Sequence, residues 1–553
     1  MYKQLKNNYI KGILLIMAMV LGSCEGTELE ILNDPNALNA DQSDIDFFMN
    51  SIQYDVSRLV QGDPLTPFGL SEAGMELTRI THMFGPDYRS AYGGTAFDPQ
   101  WQAVYSSALP DIRTMQPLAE EQGLFMHIGM SKVLEAYMMM NMVDFFGDVP
   151  YTEATQGVEF PNPNVDAGAD IYAALEVLLN EAITELGKDE TSKPTNDIFY
   201  GGDKSKWIRL ANTLKLKMYV QSRLVDSSAK TKIDALIAQG DIITSSDEDF
   251  VFQYSSTDSN PDSRHPEFSA NFDAGTSEYM STSFMYDLVQ RKNVEDPRWR
   301  YYIYRQSSTN TTDVNEQSCI TQNRPIHYVP SDIWCNFSDE GFWGRVHGDG
   351  DGIPPDTGKR TTYGLYPVGG LFDNDSFISI TGRNISTKGA GILPLMLSSY
   401  VDFMLAESAL TMGTSGNART YLESGIRKSI NKVMNFSPEN VDSDFVPSNA
   451  AIDNYVDTVL GIYDGASSDD ERLDVIVKEY FLALFGNGIE AYNTYRRTGK
   501  PANLQSTKIS APGDFIRSFF YPQTFVSQNS KVNQKPDQST QVFWDNNPAG
   551  FIK

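Results

Sequence analysis

One short stretch of the chain, residues 84–92, combines aromatic side chains with glycine and with charged and polar groups. Sugar rings carry apolar C–H faces that stack on aromatic planes, and their hydroxyl groups pair with guanidinium, carboxylate and amide groups. This stretch is therefore a candidate sugar-binding platform. Its candidate contacts, including one residue just beyond it, are Tyr88, Arg89, Tyr92 and Phe97. The alternative is packing in the core, which we expect for Trp101 because it begins a helical pattern.

A second aromatic cluster lies near the middle of the chain, next to two cysteines. Its candidate ligand contacts are Trp334, Phe342, Trp343 and Arg345, with Phe337 and His347 close by in the sequence. A rigid loop loses less entropy when it binds a ligand, so a nearby crosslink would favour binding here. The alternative is a small hydrophobic cluster that packs beneath a long loop.

The first residues of the chain predict export and lipidation. Three lysines precede a short apolar run, small residues follow, and then comes Cys24. An apolar run of about ten residues is too short to span a bilayer and is typical of a secretory signal. A cysteine directly after the small residues indicates a lipobox, so we expect residues 1–23 to be removed and Cys24 to carry a diacylglycerol. The alternative is an ordinary secretory signal with an unrelated cysteine.

If Cys24 is acylated, Cys319 and Cys335 are the two cysteines that remain. An exported protein meets an oxidising environment, so we expect these two to form a disulfide bond. In the chain-entropy model, closing a loop of about 17 residues contributes about 3 kcal/mol to stability. The alternative is a pair of free thiols.

Motifs for catalysis and metal binding are poorly represented. The five histidines show no H-E-x-x-H spacing, and neither a G-x-S-x-G elbow nor a Walker loop occurs. Asp349 and Asp351 stand in D-x-D-G spacing, but the glutamate that completes a calcium loop is missing, so we expect a turn here and no metal site. Paired carboxylates occur throughout a chain with 72 acidic residues, so a glycosidase stays open as an alternative.

Composition narrows the class of protein further. The chain has 553 residues and a formal net charge of −28, which argues against general electrostatic binding of nucleic acid. A hydrophobic fraction of 41% supports a sizeable core. After the signal, no segment reaches 18 consecutive apolar residues, so we expect the lipid alone to hold the mature chain at a membrane.

Helical periodicity in two parts of the chain predicts the elements that must position these loops. We expect residues 24–40 to be a lipidated tether and residues 41–553 to form one domain. Within it, the helical scaffold covers residues 41–226 and 393–500, the irregular, ligand-facing region covers 227–392, and a loop-rich tail covers 501–553. Adjacent apolar stripes suggest stacked helix pairs of the tetratricopeptide type, although no clean 34-residue repeat is present.

Several segments in one order carry a family resemblance. They are Gly147-Asp148-Val149-Pro150-Tyr151, residues 207–216, Asp296-Pro297-Arg298, residues 344–349, Ala406-Glu407-Ser408-Ala409, Phe485-Gly486-Asn487-Gly488, residues 496–501, and Tyr521-Pro522. Taken together with the lipobox, this set resembles the SusD/RagB family of nutrient-binding outer-membrane lipoproteins of the Bacteroidetes, in particular its SusD-like second branch.

The resemblance implies a fold, a partner and a function. It implies a mainly α architecture of stacked, tetratricopeptide-like helix pairs with a long irregular insertion that carries short strands. It also implies a lipoprotein on the outer face of the outer membrane that captures an oligosaccharide for a SusC-type TonB-dependent transporter, without catalysis and without a cofactor. Glu25 and Glu28, directly after Cys24, resemble the surface-export signal of these bacteria. The alternatives are a peptide-binding lipoprotein of the same import system and, from another class, a lipid-anchored glycosidase.

Overall fold

Helices make up most of the regular structure in the computed structural model, which describes residues 44–85, 87–273, 279–351, 359–380 and 384–553. The predicted signal peptide, the lipidation of Cys24 and the whole of the predicted tether lie outside the described residues. Residues from Asp46 to Lys553 form one compact unit.

The first half of the helical scaffold is built around one long, buried helix. Its helices are α1 (Ile45–Val60), α2 (Leu70–Leu77), α3 (Asp98–Gln102), α4 (Leu109–Glu121), α5 (Phe125–Phe146), α6 (Gly168–Leu186), α7 (Lys204–Gln221) and α8 (Ala229–Gln239). A π-helical segment, Ala103–Ala108, joins α3 to α4 without a break. The central helix α5 is apolar on every face and packs against α4, α6 and α7, as expected of a helix buried on all sides.

The middle of the chain contains short strands between long irregular segments. Its elements are β1 (Phe250–Gln253), α9 (Pro266–Phe268), a π-helical segment (Ser269–Asp273), α10 (Thr282–Val289), α11 (Trp299–Tyr302), β2 (Ile303–Tyr304), β3 (Thr362–Tyr363) and β4 (Ile392–Met396). Strand β1 pairs antiparallel with β4, with Val251 opposite Pro394. Strand β2 pairs antiparallel with β3. These strands confirm the predicted irregular insertion with little sheet.

The prediction that helical periodicity is lost from about residue 225 is wrong for α8. This helix buries Ala229, Ile233 and Leu236, which are spaced four and three residues apart on one face. Three buried positions in eleven residues make too short a stripe to stand out beside the polar segment that follows.

The second half of the scaffold resumes with longer helices. They are α12 (Ser398–Met412), α13 (Ala418–Met434), α14 (Asn449–Gly465), α15 (Asp469–Ala483), α16 (Gly488–Thr498) and α17 (Gln523–Gln528). Single-turn 3₁₀ helices occur at Gly157–Glu159, Ser246–Glu248, Ser318–Thr321, Pro438–Asn440 and Ser443–Phe445. Four of these helices, α13 to α16, are capped by the side chains of Asn417, Ser448, Ser468 and Asn487, which accept hydrogen bonds from backbone N–H groups.

The two halves of the scaffold meet through helix packing. Within the second half, helix α12 packs against α13 and α15. The two halves meet where α16 crosses α2. The mainly α fold of packed helix pairs is therefore confirmed. Within the described part of the chain, no helix is both long and apolar enough to cross a bilayer.

Candidate ligand-binding site

The two aromatic regions singled out in the sequence lie against each other. The first loop (residues 84–92) follows α2, and the second loop (residues 327–351) belongs to the irregular middle region. Arg79 Nη2 donates a hydrogen bond to the Tyr88 hydroxyl oxygen over 2.9 Å. That hydroxyl in turn donates to Nε2 of His347, also over 2.9 Å. One chain of hydrogen bonds therefore joins the two loops.

His347 is able to accept this bond because it is neutral. Burial lowers the pKa of His347 well below its usual value, and the positive charge of Arg79 lowers this pKa further. A neutral imidazole keeps one ring nitrogen free of a proton, so Nε2 can act as the acceptor. The pair is thus a fixed joint between the loops at physiological pH.

A segment of the tail, residues 505–517, completes the site. The backbone N–H of Lys508 donates to the His347 carbonyl over 2.8 Å, and the Tyr88 N–H donates to the Pro512 carbonyl over 2.7 Å. The three segments surround a cavity of about 390 Å³. Its lining includes Tyr88, His327, Thr507, Ile509, Phe515 and Arg517.

Trp334 is partly exposed and does not itself line this cavity, but it lies close to Lys508, whose neighbours Thr507 and Ile509 do line it. Its indole N–H donates to the Gln322 carbonyl over 3.3 Å, and its ring meets the edge of Tyr328 at a centroid distance of 5.8 Å. The ammonium group of Lys508 lies 5.9 Å from the ring centroid. The indole is held in place but keeps surface available for an apolar ligand face.

A disulfide bond joins Cys319 to Cys335, the pairing that the sequence favoured over free thiols. The loop that it closes carries Trp334 and the exposed side chains of Ile326 and Val329. The second loop is also fixed by His327, whose Nε2 lies 2.8 Å from the Thr507 carbonyl oxygen. Apolar groups are thus displayed on a loop that is tied at several points.

Several predicted contacts are buried and support the loops from beneath. The Phe97 ring packs on Phe519 at a centroid distance of 4.7 Å, and Phe342 packs on Trp299 at 5.4 Å. Trp343 is fully buried. Arg345 is buried as well, and its Nη1 donates to the Asp351 carbonyl over 2.6 Å. Protein covers these side chains and Tyr88 in this conformation, so their role as direct ligand contacts stays a prediction.

Arg89 and Tyr92 are more accessible. The Arg89 side chain is 65% exposed, and its guanidinium forms an ion pair with Asp87 at 2.6 Å. Tyr92 is partly exposed, its ring stacks on Phe68 at 6.1 Å, and its hydroxyl donates to the Glu76 carboxylate. Both remain candidate contacts at the edge of the first loop.

The carboxylates of Asp349 and Asp351 surround an ammonium group. Lys508 Nζ lies 2.7 Å from Asp349 Oδ1 and 2.9 Å from Asp351 Oδ2. A hydrogen bond from Lys508 is the main cause that lowers the pKa of Asp351. The ammonium group of Lys508 thus neutralises the negative charge that these two carboxylates would otherwise offer to calcium. Within the described residues, no group of three or more potential ligands is arranged to hold a metal.

The tail residues of the cavity were not among the predicted contacts. Thr507, Ile509 and Phe515 lie in a segment without periodicity, and only tertiary contacts bring them to Tyr88. The high density of aromatic residues near Phe515 was a signal that the tail packs against the scaffold.

Two family models match the chain in succession. A model described as SusD-like, "Starch-binding associating with outer membrane", matches residues 39–326, which is more than half of the chain. A second SusD-like model, described as "Susd and RagB outer membrane lipoprotein", matches residues 373–545. The chain belongs to the SusD/RagB family. No curated protein sequence matches it significantly.

Solved structures of other SusD/RagB proteins share this fold across their whole length. A family member from Bacteroides thetaiotaomicron VPI-5482 has a TM-score of 0.67 at 18% identity, with 92% of this chain and 100% of that chain covered. A SusD homolog from Bacteroides fragilis NCTC 9343 has a TM-score of 0.66 at 18% identity, with coverage of 91% and 99%. A chitin-binding SusD homolog from Flavobacterium johnsoniae has a TM-score of 0.64 at 17% identity, with coverage of 91% and 99%. These similarities establish the SusD-like helical fold.

Proposed function

We propose that this SusD/RagB protein is a cell-surface lipoprotein that binds a glycan without cleaving it and passes it to a SusC-type TonB-dependent transporter. The observation that carries the proposal is the meeting of both aromatic loops and the tail around one cavity, with Trp334 beside it. The lipoprotein family and a chitin-binding structural neighbour support the same class of ligand.

The chemistry around the cavity suits a hydroxylated ligand. Trp334 offers part of an aromatic face on which the C–H face of a sugar ring would stack. The lining carries the hydroxyl groups of Ser506 and Ser510, which would pair with sugar hydroxyl groups. Thr507, Ser539 and Gln541 also line the cavity but already donate hydrogen bonds within the protein. The disulfide bond and the joint between Tyr88 and His347 hold the loops in place, which lowers the entropy lost on binding.

We expect Trp334→Ala to weaken oligosaccharide binding about tenfold, because stacking on an aromatic ring contributes up to about 1.4 kcal/mol. A glycan array on the protein without residues 1–24 identifies a ligand, and titration calorimetry then measures its affinity. Trp334→Phe is expected to keep most of the affinity, because it retains an aromatic face. Phe47→Ala removes a 71% exposed ring on α1 and serves as the matched control.

Unchanged affinity of Trp334→Ala would place the site elsewhere. Release of reducing ends from a polysaccharide panel would favour the glycosidase, and binding of peptides in preference to every glycan would favour the peptide carrier. Retardation of the protein in a polysaccharide gel, without product, is the result expected of a binding protein.

A further inference from the structure

A second cleft lies on another part of the surface and is lined by aromatic rings. This aromatic cleft, of about 420 Å³, is formed by α3, the π-helical segment Ala103–Ala108, residues 150–163 and α17. Trp101 forms its floor and is 7% exposed. The rings of Tyr105 and Phe525 each lie 4.7 Å from the Trp101 ring, at interplanar angles of 38° and 36°. The rings of Tyr105 and Phe525 therefore both pack against Trp101 at the cleft.

The lining of the aromatic cleft carries no charged side chain among the described residues. Charged residues make up 21% of the whole chain, and the cavity beside Trp334 is lined by Asp514, Arg517 and Lys553 among others. The polar side chains of the aromatic cleft are all neutral: Gln102, Ser106, Thr155, Thr524, Gln528 and Asn529. A ligand that fits this lining is uncharged, with both apolar faces and hydrogen-bonding groups.

One buried polar atom in the cleft lacks a partner. The hydroxyl oxygen of Thr155 is buried and has no hydrogen-bond partner among the described residues. Buried hydroxyl groups are normally paired, because an unpaired one costs about 1–3 kcal/mol. Thr155 itself is partly exposed in the cleft, so a rotation of its side chain would bring this hydroxyl group to a hydroxyl group of a bound sugar. The side chains of Gln102 and Gln528 are exposed at the same cleft and offer further donors and acceptors.

Two segments of the chain contribute residues to both the aromatic cleft and the cavity beside Trp334. The first loop supplies Tyr88 to the cavity and continues directly into α3, which supplies Trp101 to the cleft. The tail likewise supplies Phe515 to the cavity and Phe525 to the cleft. A backbone hydrogen bond of 2.6 Å from Gln523 N–H to the Gly94 carbonyl fixes the start of α17 to the segment that leads into α3.

We infer that the aromatic cleft is a second glycan-binding site, specific for a neutral stretch of the polysaccharide chain whose other part binds beside Trp334. This inference rests on the proposed function. A chain long enough to reach both sites binds the second one intramolecularly, so its affinity exceeds that of a short fragment without any new contact at the first site. Neutral glycans are selected over acidic ones because the cleft has no cation to pair with a carboxylate or sulfate.

Chain length provides the test. Titration calorimetry with chito-oligosaccharides and malto-oligosaccharides, from dimer to octamer, gives the affinity of each length. For the wild type we expect affinity to rise steeply at the length that reaches both sites. Phe525→Ala is expected to remove this rise, a loss of about tenfold for long chains, and to leave the shortest binding fragments unaffected. Trp334→Ala is expected to weaken the binding of short and long oligosaccharides alike. Phe47→Ala is expected to change neither affinity.

A second variant tests whether a local loss of structure in α17 could explain the effect of Phe525→Ala. Ser106→Arg fills the cleft from an exposed position without removing an aromatic ring, and it should reproduce the length-dependent loss. Equal affinity of wild type, Phe525→Ala and Ser106→Arg for long chains would overturn the inference, while the effect of Trp334→Ala would leave the proposed function intact. An equal loss of affinity in these two variants for oligosaccharides of every length would also overturn the inference. So would tighter binding of a proline-rich peptide than of any glycan at Phe525. A wild type that binds no glycan of any length contradicts the proposed function itself.

Discussion

At the scale of single residues, a buried carboxylate holds three helices together. Glu407 on α12 accepts two hydrogen bonds of 2.8 Å from Arg497 on α16 and one of 2.9 Å from Arg223 at the end of α7. Burial alone would raise the pKa of Glu407, but the charges of Arg497 and Arg223 outweigh it and lower the pKa to about 2. Arg497 and Glu407, which belong to two different sequence motifs, are thus direct partners in the folded protein.

We expect Glu407→Gln to lower the free energy of unfolding by about 3–5 kcal/mol, because it leaves two buried guanidinium groups without a counter-charge. Urea unfolding at neutral pH measures the change. Glu423→Gln is the matched control, since the Glu423–Arg427 pair lies on the surface of α13 and the two side chains are 36% and 40% exposed. Its loss should stay below about 0.5 kcal/mol.

The pH dependence of stability checks the same interaction independently. The folded-state pKa of Glu407 lies below its unfolded value of 4.5, so its contribution is complete above about pH 4.5 and is lost as the pH falls toward 2. The wild type should therefore lose about 3 kcal/mol more than Glu407→Gln over that range. Parallel curves for the two proteins would contradict a depressed pKa at Glu407.

Residue types alone could not separate ligand contacts from core residues in the candidate site. Trp334 and Trp343 lie nine positions apart in one aromatic loop, yet Trp343 is fully buried and Trp334 is partly exposed. Tyr88 is buried, and its hydroxyl group forms hydrogen bonds with Arg79 and His347. His347 is distant in the sequence, and no local pattern marks Arg79 as a partner. The sequence predicts which loops matter, whereas tertiary contacts decide which side chains face outward.

At the scale of elements, the crossing of α2 and α16 depends on two glycines that face each other. A Cβ atom on Gly74 would overlap the Gly488 carbonyl oxygen, and one on Gly488 would overlap the Ser71 carbonyl oxygen. The two helix backbones are therefore in direct contact. Helix α2 leads into the first loop and α16 leads toward the tail, so this crossing positions two segments of the ligand cavity.

We expect Gly488→Ala to destabilise the protein by about 3 kcal/mol, because the helices must separate to admit the methyl group. It should also weaken glycan binding, since both segments would shift. The control is Gly461→Ala in α14, where nothing lies within 4 Å of an added Cβ. That change should stabilise the helix by about 0.5–1 kcal/mol. Thermal unfolding and calorimetry on both variants measure the two effects, and unaltered stability of Gly488→Ala would show that the crossing tolerates separation.

Periodicity and turn chemistry predicted many of the elements. Gly147 ends α5 with a φ of 74°, a conformation that favours glycine, and Asp148 Oδ1 accepts a hydrogen bond from the Gly168 N–H at the start of α6 over 2.8 Å. Helix α8 was missed because its apolar stripe is short. The π-helical segment Ala103–Ala108 was equally invisible, since its extra residue per turn leaves no mark on a simple apolar pattern.

At the scale of the whole molecule, the loop-rich tail is a structural part of the scaffold. The Trp544 indole N–H donates to Asp144 on α5 over 2.8 Å, and the Tyr521 hydroxyl donates to the Asp148 carbonyl over 2.6 Å. Arg517 pairs with Asp545 at 3.1 Å within the tail itself. A segment without periodicity is thus fixed by long-range hydrogen bonds, which no local pattern in the sequence could have predicted.

The whole molecule carries a net charge of −28, so attraction to an anionic membrane surface cannot retain it. We therefore expect retention to depend on the lipid predicted at Cys24, since two acyl chains suffice for stable anchoring. We expect Cys24→Ala to shift the protein from the outer-membrane fraction to the soluble fraction, with unchanged affinity for the glycan. Cys335→Ser is the control, because it should leave the protein at the membrane and loosen only the loop that carries Trp334. A Cys24→Ala protein that still pellets with membranes after an alkaline carbonate wash would show that something other than this lipid holds it there.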